Sequence, residues 1–204
     1  LTALTLELES LRSRQHAKTI ERAQRILHYL KNIVDNTRER LSGKTQEQTF
    51  NISRKISQVI TFLQDKAAEA NVIIDWKAPP GAWKYVGDPD SLSQVIAIIA
   101  SNAIDAYGSS RKNQDGSVHE ARVAVTMRRS SKHIIIQISD WGKGLTKTER
   151  KHIFKPGYST KKSGLGIGLY IAKQIVEMQF AGSLELGRSL DHTEFNIRLP
   201  YHEA

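Results

Sequence analysis

The chain has 204 residues, 39% hydrophobic and 25% charged, and 30 Lys+Arg against 21 Asp+Glu give a formal charge of +9. That length accommodates one medium domain or a small domain with an appendage, and the apolar fraction excludes wholesale disorder. The absence of cysteine excludes a disulfide framework, a thiolate zinc site and a cysteine nucleophile. The longest apolar run, Val95 to Ala100, falls far short of the roughly 20 residues that span a bilayer. The basic residues are scattered, in pairs such as Arg128-Arg129 and Lys161-Lys162, without a long run or interleaved aromatics. They do not make a nucleic-acid footprint; a phosphate-bearing small ligand accounts for part of the bias equally well.

Leu1, Leu4, Leu8 and Leu11 form one narrow apolar stripe on a helix. The start, Leu1-Thr2-Ala3-Leu4, has no initiator Met and no signal-peptide layout, and reads as cut from something longer. A second stripe begins out of phase at Ile20 and continues through Ala23, Leu27, Leu30, Val34, Thr37 and Leu41. Its alternating steps of three and four are the period of bundle seams. Residues 1–43 are therefore expected to form an antiparallel helical hairpin, turning near Arg14-Gln15-His16, or one long helix with a stutter. So little core predicts a dimeric four-helix bundle. Residues 44–49 read as a linker, and a second domain is expected over residues 50–204.

In that domain Ile52, Ile56, Val59/Ile60 and Leu63 have helical spacing, followed by a β-like Val72 to Trp76 and the breaker Pro79-Pro80-Gly81. Asp88-Pro89-Asp90 caps a strongly apolar helix running to Ala106. Arg122 to Met127 and His133 to Ser139 read as paired strands, Gly166 to Met178 as a helix opened by glycines, and Ser183 to Leu186 and Phe195 to Leu199 as closing strands. This mixture predicts an α+β two-layer sandwich.

Three separated segments carry chemistry: Asn102-Ala103-Ile104-Asp105-Ala106 on the apolar helix, Asp140-Trp141-Gly142-Lys143-Gly144 after a strand, and Gly164-Leu165-Gly166-Ile167-Gly168-Leu169 opening a helix. Each alone has a bland explanation in helix packing, a strand-end turn or a flexible loop. Together they compose a nucleotide site. Alternate glycines at a helix start let a phosphate chain approach backbone N–H groups that the helix dipole already makes favourable for an anion. The spacing fits neither a Walker loop nor a dinucleotide fingerprint. Asp140 can accept a hydrogen bond from an exocyclic amine, Gly142 and Gly144 let a ring lie against the backbone, and Asn102 offers a neutral oxygen to a hard cation.

Residues 50 to 200 closely resemble the catalytic ATP-binding domain of sensor histidine kinases, within the group that includes gyrase, Hsp90 and MutL. Gln94-Val95-Ile96 with Asn102 to Ala106 looks like the N box, Asp140 to Gly144 the G1 box, Ile153 to Lys161 the F box and Gly164 to Leu169 the G2 box. The resemblance implies ATP and Mg²⁺ as ligands. Asn102 would bind the metal, Asp140 would contact the adenine amino group, and Gly164, Gly166 and Gly168 would flank the phosphates. Asp105, Gly142, Gly144, Leu169 and, as a phosphate contact, Lys161 complete the expected ATP-binding set. The short Lys161-to-Gly164 spacing implies a short ATP-covering loop. One position departs from the family. A polar residue, often Asn, usually stands one helical turn before the metal-binding Asn, and here it is Ile98, which can neither ligate metal nor polarise a nucleophile.

Residues 1–43 resemble the dimerisation and phosphotransfer hairpin of the same family. His28-Tyr29-Leu30-Lys31-Asn32 mimics the phosphoacceptor core, but His28 stands only about half as far ahead of Phe50 as the family's acceptor normally does. Leu1-Thr2-Ala3-Leu4 resembles the residues that follow the acceptor box, which sets the histidine about half a dozen residues before Leu1, with His28 a lesser alternative and His16 weaker still. The resemblance implies a homodimeric cytoplasmic kinase core, compatible with an inner-membrane anchor elsewhere, that passes phosphate from Mg-ATP to histidine and then to a response-regulator receiver domain. The alternatives are a degenerate nucleotide-binding scaffold or response-regulator phosphatase, and an ATPase or protein-serine kinase on the same fold.

Overall fold

The computed structural model describes residues 47–81, 83–108, 121–161, 166–189 and 191–201. They belong to one compact unit, Gln46–Ala204. Residues 1–43, with His16 and His28, lie outside the described residues, as does Gly164.

Strand β1 (Gln48–Asn51) runs into helix α1 (Ile52–Glu69). Gln48 and Thr49, read from sequence as linker, are the first half of this strand. They pair antiparallel with Gly87 and Val86 of β3 (Lys84–Gly87), partners 39 and 37 residues away that local pattern could not reveal. The Asn51 side chain caps α1 by accepting the Arg54 N–H at 3.0 Å. The stripe Ile52, Ile56, Val59, Ile60, Leu63 and Ala67 is buried, as the spacing of the apolar residues predicts.

Strand β2 (Ile73–Trp76) follows, then β3, then helix α2 (Pro89–Asp105). Asp88 accepts from the Asp90 N–H at 2.9 Å and from the Ser91 hydroxyl at 2.7 Å. Pro89 takes a first-turn position where its missing N–H costs nothing. Leu92, Val95, Ile96, Ile99, Ala100, Ala103 and Ile104 are buried on this helix, which packs against α1 on one flank and α4 (Gly168–Gln179) on the other.

Strands β4 (Arg122–Arg129), β5 (His133–Asp140), β6 (Ser183–Leu186) and β7 (Thr193–Pro200) join β2 in a five-stranded sheet of order β2-β4-β5-β7-β6. The β2–β4 pair is parallel and the others antiparallel. On β4 and β7 burial alternates, with Val123, Val125 and Met127, then Thr193, Phe195, Ile197 and Leu199, turned toward the helices. The opposite face carries polar ties such as Gln137 Nε2 to Asn196 Oδ1 at 2.8 Å. One sheet under three helices is the α+β two-layer sandwich. A short helix α3 (Lys147–His152), unforeseen from its polar sequence, is set by a capping box between Thr146 and Glu149.

Candidate functional site

The C-terminal half of α2 is the platform on which the separated segments meet. Its last turn receives the loop after β5. The Lys143 N–H donates to the Ala106 carbonyl at 3.1 Å, and a Cβ at Gly142 would stand 2.7 Å from that oxygen, so only glycine allows this approach. Gly144 follows with φ +68°. One turn back on α2, Asn102 and Asp105 share a face and both accept from the Lys161 ammonium, at 2.8 and 2.5 Å. A further turn back, Ile98 underlies Gly168, whose Cβ would lie 3.3 Å from the Ile98 Cγ2.

Gly166 has φ +67°, and a Cβ there would fall 2.3 Å from the Tyr158 carbonyl. The Gly157 N–H meanwhile donates to the Gly166 carbonyl at 2.9 Å. The F-box segment and Gly166 are thereby clamped together. Helix α4 starts at Gly168 with no side-chain cap at Ile167, which leaves its first N–H groups free of a side-chain acceptor. Leu169 lies in its first turn, half-buried.

Two carboxylates dominate the electrostatics and move in opposite directions. Asp140, at the end of the central strand β5, is 2% exposed. Burial raises its pKa to about 6, against the opposing pull of the Gly142 N–H, which donates to it at 3.1 Å, and of nearby His192. Burial also acts on Asp105, but hydrogen bonds from Lys161 and Lys66 outweigh it and hold the group below its ordinary value. Lys66 reaches Asp105 from α1 at 2.7 Å and donates to the Ser101 hydroxyl at 2.5 Å and the Ser101 carbonyl at 3.3 Å.

Several supporting residues carried no sequence signal. The Tyr107 hydroxyl donates to the Arg122 carbonyl at 2.5 Å and accepts the N–H groups of Arg122 at 3.1 Å and Trp141 at 2.9 Å. This ties the end of α2 to the start of β4 and to the residue after Asp140. Trp141 lies between the Arg122 guanidinium, 4.8 Å from its ring centroid, and the His192 ring, stacked at 5.2 Å. Lys143 donates to Thr160 at 3.1 Å, linking the loop after β5 to the F-box segment. None of these partners shares a motif with the group it touches, so only the folded chain identifies them.

The residues fit a nucleotide and its cation. The Asn102 carbonyl oxygen and the Asp105 carboxylate are hard oxygen donors, and a cation, the Lys161 ammonium, already rests on both. Of the residues expected from sequence, Asn102, Asp105 and Lys161 are in direct contact. Gly142 and Gly168 join them through α2, and Asp140 is held beside them by its bond to Gly142.

A family model described as histidine kinase-, DNA gyrase B-, and HSP90-like ATPase matches residues 87–203, and the chain belongs to that family. Within it, the domain is of the sensor histidine kinase kind. Sensor histidine kinase ZraS of Klebsiella oxytoca is 28% identical over 68% of this chain and 28% of its own length. Sporulation kinase C of Bacillus subtilis is 32% identical over 67% of this chain and 31% of its own length. The chain thus spans less than a third of either relative. The catalytic domain of histidine kinase ThkA superposes with TM-score 0.65 at 20% identity, covering 76% of this chain and 95% of that one. ThkA in complex with response regulator protein TrrA gives TM-score 0.61 at 18% identity over 86% of this chain and 49% of that one.

Proposed function

We propose that the chain binds Mg-ATP and donates its γ-phosphoryl group to a histidine of a dimerisation hairpin, from which a response-regulator aspartate takes it. The observation that carries this reading is the convergence of Asn102, Asp105, Lys161, Gly142 and Gly168 on one half of α2, with buried Asp140 at its side. Asp140, ionised, accepts a hydrogen bond from the adenine amino group at the dry end of the site. The uncapped start of α4 and the glycines before it receive the phosphates. Asn102 would supply an oxygen ligand to magnesium, which when bound would neutralise phosphate charge, while Asp105 holds the lysines beside it. The protein's contribution is positioning and charge compensation, which is most of what phosphoryl transfer requires.

Support for the wider reading comes from the kinases that the chain resembles and from the ThkA–TrrA pairing. On that basis the acceptor histidine belongs ahead of Leu1, residues 1–43 supply the homodimer interface and join the second domain ahead of β1, and the chain works as a cytoplasmic module. Among the described residues no helix is long and apolar enough to cross a membrane. Calorimetry tests the site: Asn102→Ala and Asp140→Asn each weaken Mg-ATP binding, and unchanged affinity in both would sink the assignment.

A second reading, a nucleotide-binding scaffold or response-regulator phosphatase, is favoured by one observation. Ile98 is built into the contact between α2 and Gly168, where a kinase of this family usually carries a polar group. Acid-labile ³²P labelling of the longer protein separates the two: ATP binding without labelling selects the scaffold.

A further inference from the structure

We infer that Asp105 is a positioning residue that parks the Lys161 ammonium on the Asn102 carbonyl oxygen, so that in the nucleotide-free domain this lysine stands in for the divalent cation and passes to the phosphates once Asn102 is taken. The inference rests on the Mg-ATP reading above and deepens it.

The geometry distinguishes two lysines on one carboxylate. Lys66 is held by three groups, Asp105 Oδ1, the Ser101 hydroxyl and the Ser101 carbonyl, and it springs from the packed helix α1. Among the described residues the Lys161 ammonium is held by two groups, Asn102 Oδ1 and Asp105 Oδ2, and its own N–H donates to Ser159 at 3.1 Å within the same exposed stretch. Lys66 is therefore the fixed partner and Lys161 the transferable one. The two side chains are similarly exposed, 42% for Lys161 and 38% for Lys66, so it is the smaller set of bonds, not exposure, that marks Lys161 as the one to leave.

Two physical consequences follow. A single carbonyl oxygen cannot serve an ammonium and a divalent cation at contact distance, because their mutual repulsion is not screened at that range. Asn102 is therefore bound either to Lys161 or to the metal. When Lys161 leaves, Asp105 keeps Lys66, so no bare, half-buried carboxylate is left behind, the situation that makes breaking a buried pair costly. A triphosphate chain, in turn, offers the released ammonium stronger acceptors than a neutral amide. Lys161 thus links occupancy of the metal position to its own contact with the phosphates.

The test uses Mn²⁺ alone, titrated into the nucleotide-free 204-residue chain and followed by electron paramagnetic resonance. Lys161→Gln and Lys161→Met should each tighten Mn²⁺ binding by about tenfold, the scale of removing a contact repulsion. Adding Asn102→Ala should erase that gain, and Lys151→Gln, at an exposed lysine of α3 outside the site, should shift affinity less than about twofold. A second measurement isolates the positioning role of Asp105 through the affinity of ATP without divalent cation. Asp105→Asn should raise that affinity by about tenfold in the native background and leave it unchanged in the Lys161→Gln background. Unchanged Mn²⁺ affinity in both Lys161 variants, or equal gains from Asp105→Asn in the two backgrounds, overturns the inference. Failure of the underlying reading looks different, because Asn102→Ala would then leave Mg-ATP affinity intact while the Mn²⁺ response to Lys161 persists.

Discussion

The two ends of the site treat their carboxylates in opposite ways. Asp140 sits at the end of the central strand, buried, with a backbone N–H as its bonded partner, and burial raises its pKa to about 6. Asp105 lies one helix away, part-exposed between two ammonium groups, and stays ionised to lower pH than usual. A buried acceptor without a bonded cation suits a neutral amino group, since hydrogen bonds strengthen as water is excluded. A carboxylate bracketed by lysines suits an end where charge arrives and departs. On the proposed function, the Asp140 end is built for selectivity toward the base and the Asp105 end for exchange at the phosphates.

That contrast predicts a graded set of outcomes. The largest effect belongs to Asp140→Ala, which removes a charge-assisted acceptor from a dry site. Affinity for Mg-ATP and for adenosine should fall together, by about 100-fold, measured by calorimetry. Next comes pH. With Asp140 titrating near pH 6, nucleotide affinity should be level above that value and decline up to about tenfold per pH unit below it. Asp140→Asn should abolish this slope.

Stability runs the other way. The native state binds more protons than the unfolded state between the ordinary aspartate value and about 6, so Asp140 lowers stability as pH rises through that window and exacts its full cost above it. Asp140→Asn should therefore raise Tm at pH 8, with the gain vanishing near pH 4. Asp105 has the opposite sign, because its pKa is lowered on folding. Its contribution is present above the ordinary carboxylate value and is lost as acid protonates it.

At the phosphate end, Lys66→Gln leaves Lys161 as the single cation on Asp105 and holds it there more tightly. Mg-ATP affinity should drop about threefold to fivefold while adenosine affinity is unchanged, which is the split that Asp140 variants do not show. The smallest expected effect on binding is none. Asn51→Ala removes the cap of α1 and should cost about 1 kcal/mol by chemical denaturation, with nucleotide affinity intact.

Local pattern marked the candidate site residues and most of the scaffold that carries them. Alternating and helical spacing of aliphatic residues marked β4, β5, β7 and α1, and Asp88-Pro89 marked the start of α2, because burial against one layer imposes those periods locally. Glycines 142 and 166 stood out in the sequence as room for a ligand, whereas the fold shows a different need: the backbone passes too close to Ala106 and Tyr158 for any side chain. Tertiary structure alone decided what no local pattern encodes. It paired β1 with β3, brought Lys66 from α1 onto Asp105, set the Tyr107 hydroxyl against the Trp141 N–H, and placed Lys161 on the Asn102 side-chain oxygen. These are single contacts between residues far apart in the chain, each made by a long or polar side chain whose sequence neighbourhood reads as ordinary surface. Their partners are fixed by how α1, α2 and the sheet stack, and by nothing nearer in the sequence.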